Sequence, residues 1–383
     1  MLARHRQRWV RLHRWLGLGL LVAWLVIGLS GSVLVLYREA LNGLHGAPTQ
    51  PHSPLQPLTP VNPDAVLHSL QVHHPAFADS WRIEWPLQPG DPVVARYMRP
   101  PEAGDRAFAP RMVWLDPAGQ GIWHEASWGQ EPFSWLYDLH YSLLGDRPGR
   151  HAVGVLGLLM LVSLVSGLVL WWPRAGHWRQ AWSIKPGAAI ERRVYDWHKL
   201  VGASSAVVLV LLSVTGVLLT WHTAMEPWLN RVSPLFTPPA PVVSGPPDLP
   251  LQQAVRVAQA QFPSATVRWL ETAPRDGGVV RVQMWQAGEP SRRFPRTMVW
   301  LDAHTGEVLA LRDGLAQGAA DTAMAWLHPL HNGEVAGWPG RILVLLCGLA
   351  PVGLGITGVW RWRHKRHASR HLARRRATGF RPS

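Results

Sequence analysis

The chain has 383 residues, 47% hydrophobic and only 16% charged, with 23 Trp, one Cys and a formal net charge of +14. A single cysteine, Cys347, excludes an intrachain disulfide and any zinc or iron–sulfur centre built on several thiolates, so metal chemistry must rest chiefly on the 19 His. Four uncharged apolar runs of about 20 residues, 16–36, 152–172, 200–221 and 342–360, exclude an ordinary water-soluble domain, because a helix of that length crosses a ~30 Å hydrocarbon core.

In chain order, residues 1–15 form a basic cytoplasmic N-terminus and 16–37 a first span, read as an uncleaved anchor because its apolar stretch outruns a signal-peptide core. An outer domain follows over 38–151, then a second span at 152–172 and a basic loop at 173–199. The third span is 200–221, the second outer domain 222–341, the fourth span 342–360 and the basic tail 361–383. Residues 1–14, 173–199 and 361–383 hold 20 of the 38 Lys and Arg, opposed there only by Glu191 and Asp196. All three lie on one side of the membrane, which is the positive-inside pattern of a multi-pass membrane protein with both termini cytoplasmic. The charge is therefore a topology signal whose partner is the lipid bilayer, with its anionic headgroups, and not nucleic acid.

Each outer domain opens on a Pro-rich tether, "PTQPHSPLQPLTPVNP" or "PLFTPPAPVVSGPPDLP". A short helix comes next ("AVLHSLQVHH"; "LQQAVRVAQAQF"), then alternating strand-like segments such as "PVVARYM", "RMVWLD", "VVRVQMW" and "TMVWLDAHTGEVLAL". Each reads as a small α+β domain outside the membrane, and His52, His68, His73, His74 and His304 within them as solvated side chains.

One half is written twice. "HRWLG" at His13 and "HKLVG" at His198 are offset by 185, as are Ser30-Gly31 and Thr215-Gly216; "MVWLD" recurs at an offset of 186. Pro75 and Trp81 match Pro263 and Trp269 at 188. "LHYSLLGDRPGR" from Leu139 and "LHNGEVAGWPGR" from Leu330 are offset by 191, as are Ser166-Gly167 and Thr357-Gly358. The expected fold is a membrane all-α four-helix bundle with two small α+β periplasmic domains, the halves being parallel repeats about an axis along the membrane normal. Gly17/Gly202, Gly31/Gly216 and Gly167/Gly358 are expected either to permit close helix approach or to leave room for a flat cofactor.

Four histidines survive the repeat. His13 and His198 open the first and third spans at the inner edge; His140 and His331 precede the second and fourth at the outer edge. Two imidazoles meeting across an apolar gap suit axial ligation of haem iron. Zinc would need further ligands there, and Asp138 beside His140 is matched by Pro329. Two b-type haems are therefore expected, non-covalent because no Cys-x-x-Cys-His is present. Arg14 and Lys199 beside the inner pair, and Arg150 and Arg341 beyond the outer pair, are candidate propionate partners. His151, His222 and His328 at the outer edge align with Ile342, Tyr37 and Tyr137 and stand as reserve ligands or substrate-side groups.

"RLHRWLGL", "VYDWHKLVG", the "LH…PGR" element and the paired "MVWLD" segments resemble the PepSY-associated transmembrane proteins over residues 11–363, and within them the inner-membrane siderophore reductases. The resemblance implies PepSY-like outer domains and a dihaem b protein that passes electrons outward to a ferric siderophore in the periplasm. It places the inner haem on His13 and His198 and the outer haem on His140 and His331. No Gly-rich dinucleotide fingerprint follows a strand, so the electron donor is expected to be a separate quinol or reductase. Two other classes use the same spans and outer domains without haem: a siderophore permease, and a regulatory or scaffolding membrane protein.

Overall fold

The computed structural model describes residues 3–45, 60–88, 91–116, 118–119, 121–240 and 245–377. The chain opens with helices α1 (Ala3–Gly19), α2 (Leu21–Leu34) and α3 (Tyr37–His45), then α4 (Pro63–His73). Strands β1 (Trp81–Glu84), β2 (Val93–Tyr97), β3 (Arg111–Leu115) and β4 (Ile122–Ser127) lead to α5 (Pro132–Ser142), α6 (Asp146–Trp171) and α7 (Trp178–Ala181). The second half repeats the order with α8 (Ile190–Thr220), α9 (His222–Val232), α10 (Leu251–Gln261), β5 (Thr266–Glu271), β6 (Val279–Trp285), β7 (Thr297–Asp302), β8 (Val308–Arg312), α11 (Ala319–Asn332) and α12 (Gly337–Ala377). Residues 46–59, which hold most of the first Pro-rich tether and His52, lie outside the described residues.

Among the described residues three helices, within α6, α8 and α12, are long and apolar enough to cross a membrane; α1 and α2 together make a fourth, broken span bent by 63°. Val22, Val207 and Ile356 are 73%, 79% and 67% exposed, as faces meeting hydrocarbon rather than water should be. The expected first span at 16–37 thus becomes two helices, and the helix begins well before the apolar run. Gly17 and Gly19 weaken the helix at the break, while Leu20 N–H still donates to Leu16 O at 3.1 Å and Trp24 N–H to Leu20 O at 3.0 Å. The other helices also outrun their apolar stretches: α12 continues into the basic tail, because nothing breaks a helix where hydrocarbon ends.

Packing follows the repeat. Helix α6 lies on α8 as α12 lies on α2; α1 meets α6 as α8 meets α12; α5 seats on α2 and α6 as α11 seats on α8 and α12. Helix α2 also touches α6, so the four spans form a ring of neighbours.

The two outer domains are not separate, contrary to the sequence expectation. Their strands form one eight-stranded sheet in the order β4-β3-β2-β1-β5-β6-β7-β8, every adjacent pair antiparallel. The halves join at β1 and β5, with Arg82 opposite Glu271 and Ile83 opposite Leu270, pairs that the repeat exchanges. A half-sheet would leave β1 as an open edge of unpaired donors and acceptors; pairing with β5 covers both edges at once. Across the seam Trp81 N–H donates to Thr272 Oγ1 and Thr272 N–H to Trp81 O, both at 2.9 Å.

One hydrophobic core serves both halves. Val66 and Leu70 of α4 and Leu251, Ala254 and Ala258 of α10 pack with Ile83, Val113, Leu270, Val282 and Val299 on one face of the sheet. Helix α10 is capped from the other half: the Asp64 carboxylate accepts from Leu251 N–H (2.6 Å) and Gln252 N–H (3.0 Å). His74, expected to be solvated, is 13% exposed in its side chain and sits between the Phe77 ring (4.9 Å) and Glu125 (3.2 Å). Alternation along the strands turns Arg82, Trp269, Gln283 and Trp285 to the opposite face, toward the spans.

Candidate functional site

The structure brings the four repeated histidines together in the expected pairs. His13 on α1 faces His198 on α8 with ring centres 6.3 Å apart, and His140 on α5 faces His331 on α11, also at 6.3 Å. Each ring lies against a glycine of a neighbouring span. A Cβ on Gly31 would lie 2.7 Å from His140 Cε1; on Gly167, 3.0 Å from His13 Cε1; on Gly216, 3.0 Å from His331 Cε1; on Gly358, 3.7 Å from His198 Cε1. Gly31, Gly167, Gly216 and Gly358 therefore make room for imidazoles rather than for a close approach of helix backbones. Close helix approach falls to Gly28 instead, where a Cβ would lie 2.6 Å from Gly348 O, while Gly17 has nothing within 4 Å.

The residue before each glycine fixes the ring. Ser166 Oγ lies 3.0 Å from His13 Nδ1, Ser30 Oγ 3.1 Å from His140 Nδ1, Thr215 Oγ1 3.0 Å from His331 Nδ1 and Thr357 Oγ1 2.8 Å from His198 Nδ1. Each hydroxyl donates its own proton to its helix backbone, Ser166 to Ser163 O (2.7 Å), Ser30 to Val26 O (2.6 Å), Thr215 to Leu211 O (2.8 Å) and Thr357 to Gly353 O (2.6 Å). With its proton committed, the hydroxyl is an acceptor, so the imidazole must donate from Nδ1. Carbonyls reinforce this at two sites: His13 Nδ1 is 3.1 Å from Ser163 O and His140 Nδ1 3.0 Å from Ile27 O, and a carbonyl can only accept. All four rings are thereby assigned the tautomer whose Nε2 carries a bare lone pair, the form that binds a metal.

Two imidazoles on opposite sides of one metal, each nitrogen ~2 Å from it and each ring centre ~1.1 Å beyond, have centres ~6.2 Å apart. The observed spacing fits that arrangement. Among the described residues no group of three or more His, Cys, Asp or Glu is placed to hold a metal ion. Each pair supplies two imidazole nitrogens, too few donors for a bare zinc ion; such a set would suit a metal already carried in a planar macrocycle.

The family described as "PepSY-associated TM region" matches residues 10–365. The chain belongs to that family. It is also 27% identical over 271 residues to an uncharacterized protein of Pseudomonas aeruginosa, covering 64% of this chain and 68% of that one.

In this PepSY-associated chain the expected basic partners differ in what they touch. Lys199 donates to Gln180 O (3.1 Å), Ser183 O (2.9 Å) and Asp196 Oδ1 (3.1 Å). Arg341 grips Glu39 through both oxygens at 2.6 Å and also Val35 O. Arg150 Nη2 lies 3.3 Å from His222 Nδ1, which is also 3.0 Å from Leu219 O, and the Arg150 guanidinium lies 5.1 Å from the Tyr141 ring centre. Arg14 is exposed and lies over Trp15 at 5.8 Å. Sequence reasoning missed Arg361, which sits within electrostatic reach of both His13 and His198 and over the Tyr195 ring at 4.5 Å. Its signal was present three residues after Gly358, but it merged with the basic tail.

Of the reserve histidines, His151 Nδ1 accepts from Trp221 Nε1 at 2.9 Å, and His222 is engaged by Arg150. His328 packs on the Phe294 ring at 4.5 Å, one turn before His331, and its Nδ1 is buried without a hydrogen-bond partner. Burial, then the charge of Arg293, pushes it down to about 3, so it is neutral.

Above the outer pair lies a cavity of about 1690 Å³, reached by His140 and His331 below and roofed by the sheet face carrying Arg82, Trp269 and Trp285. At its roof Glu84 is enclosed by Arg38 (3.0 Å) and Arg96 (3.2 Å). Burial alone would raise its carboxyl, but those two guanidinium groups, with Arg293 and Arg268 beyond, hold it down to about 2.

Proposed function

We propose that the protein is a dihaem b electron-transfer protein of the bacterial inner membrane that reduces a ferric siderophore on the side bearing the sheet, releasing Fe(II). The observation that carries this reading is the pair of facing imidazole sets, each at 6.3 Å and each with Nδ1 tied to a span hydroxyl. On α8 the level of His198 and the glycine that seats His331 are eighteen residues apart, ~27 Å of helix at ~1.5 Å per residue, nearly the thickness of the hydrocarbon core.

His13 and His198 would hold one haem and His140 and His331 the other. Haem at both sites would supply one-electron chemistry at two depths of the membrane. The four hydroxyls keep the ligand rings in one tautomer and orientation, and the four glycines keep the space into which those rings fit. The cavity admits a bulky polar chelate next to the outer pair without requiring it to enter hydrocarbon. Reduction frees the metal because hard oxygen donors hold Fe(III) far more tightly than Fe(II). With no dinucleotide fingerprint in the chain, the donor is a quinol or a separate reductase on the other side.

The deciding experiment is an absorption spectrum of the purified protein, oxidised and then dithionite-reduced, with a pyridine haemochrome assay against protein concentration. The expected ratio is two b haems per chain. A ratio of zero from membranes replete with haem ends the reading.

A further inference from the structure

The proposed function leaves open what kind of chelate the cavity selects, and the charges on its wall address that. Four arginines that line it, Arg150, Arg292, Arg293 and Arg296, form no ion pair within 4 Å among the described residues, although Arg293 has Glu84, and Arg296 has Asp321 and Glu289, within longer electrostatic reach. The Arg293 guanidinium lies over aromatic faces, Tyr37 at 4.9 Å and Phe294 at 5.1 Å from the ring centres, and Arg292 lies over Trp285 at 4.5 Å. The Nε groups of Arg150 and Arg296 are buried without a hydrogen-bond partner.

Of the six acidic residues on the same wall, Glu226 is exposed, Asp91 accepts from the Leu87 and Gln88 backbone N–H groups, and the other four are engaged. Glu39 holds Arg341, Asp321 holds Arg312, and Glu334 accepts from Ser291 Oγ and the backbone N–H groups of Arg292 and Arg293. Glu289 accepts from the Gln286 and Arg296 backbone N–H groups and from Thr297 Oγ1. A recess with more guanidinium groups than contacting carboxylates, and with half-dry walls, draws anions and repels cations. Guanidinium forks match planar oxyanion donors, and the surrounding rings give them a weakly hydrated setting.

Building on the reductase reading, we propose that this cavity binds a ferric chelate of net negative charge, gripped by Arg293 and Arg296 and flanked by Arg150 and Arg292. A neutral or cationic chelate would offer those four guanidinium groups no oxyanion at contact distance.

The test separates binding from reduction by using gallium(III), which matches iron(III) in charge and coordination and is not reduced by biological donors. Haem-loaded protein in non-ionic detergent is titrated with the gallium tris-catecholate trianion and with a neutral gallium tris-hydroxamate, read by calorimetry and by tryptophan fluorescence, since Trp269 and Trp285 line the cavity. The trianion is expected to bind at least about thirtyfold more tightly, and to weaken steeply as salt rises from roughly 50 to 500 mM. R293Q and R296Q should each cost the trianion roughly tenfold and leave the hydroxamate unchanged, while R293K keeps most of the preference. Equal or tighter binding of the neutral chelate overturns the proposal. So does loss of the outer haem spectrum in R293Q/R296Q, because those arginines would then be holding propionates. If the arginine variants fail to fold, the charge series and salt dependence of the unmodified protein decide alone. Trianion selectivity in a protein that leaves the corresponding ferric chelate oxidised supports the site and defeats only the reductase reading.

Discussion

Thr357 Oγ1 stands 2.8 Å from His198 Nδ1 while passing its own proton to Gly353 O at 2.6 Å. The hydroxyl is thus a one-way acceptor, and the imidazole it holds belongs to a different helix. The same relay recurs at Ser30, Ser166 and Thr215, which makes the hydroxyl–glycine dipeptide the unit that builds each half-site.

Thr357→Val keeps the side-chain shape and removes the acceptor. The expected result is a ~10- to 100-fold weaker inner haem site with the outer one unchanged. Haem titration into the apoprotein, followed at both absorption maxima, measures this; equal affinity for both proteins would show that Thr357 only fills space.

The glycines should not be equally tolerant. At Gly31 a Cβ would stand 2.7 Å from the His140 ring, against 3.7 Å between Gly358 and His198. Gly31→Ala is expected to displace His140 and to bring the haem count per chain from two toward one, whereas Gly358→Ala keeps both. Haemochrome stoichiometry on the two variants decides, and the reverse ranking would contradict the packing.

The two sites should also fail independently. His198→Ala is expected to remove the inner haem and His331→Ala the outer one, because the pairs share no ligand and lie a span apart. Low-temperature difference spectra of the folded variants test this. Loss of both haems from either substitution would mean that each histidine serves more than one site.

Glu84 ties the sheet to α3 through Arg38 and sits beside Arg96 on β2. Its folded pKa of about 2 lies below its ordinary 4.5, so the ionised carboxylate stabilises the fold above pH ~4.5 and that contribution disappears as pH falls toward 2. Glu84→Gln should cost about 3 kcal/mol at neutral pH, with the gap to the parent closing between pH ~4.5 and ~2. Thermal melts in detergent across that range give the comparison; a gap independent of pH would show that the charge is not what the arginines hold.

Much of this arrangement was legible in the sequence because a tandem repeat turns three-dimensional symmetry into a linear offset. His13 with His198 and His140 with His331 could be paired before any helix was placed. The short helices at 63–73 and 251–261 and the "MVWLD" strands also fell where alternation and turn chemistry put them. The role of Ser30-Gly31 and its three counterparts was not legible. Their pattern was visible, yet which ring each receives depends on which helices become neighbours. The seam between β1 and β5 was hidden for the same reason, since edge pairing between distant segments leaves no local periodicity. Arg361 was obscured by a basic tail whose net charge already had an explanation, and the break at Leu20 by an apolar run with no proline in it.

Each facing pair draws one histidine from each half, and the sheet closes only where the halves meet. A half-length polypeptide could present either pair only by finding a second copy of itself, so ligand capture would depend on how crowded the membrane was. The loop over 172–189 makes that encounter intramolecular, at an effective concentration on the order of millimolar. Covalent fusion also releases the halves from sameness: His328 and Tyr137, equivalent in the repeat, differ, and the cavity at the outer pair can be asymmetric while the pairs below it stay matched.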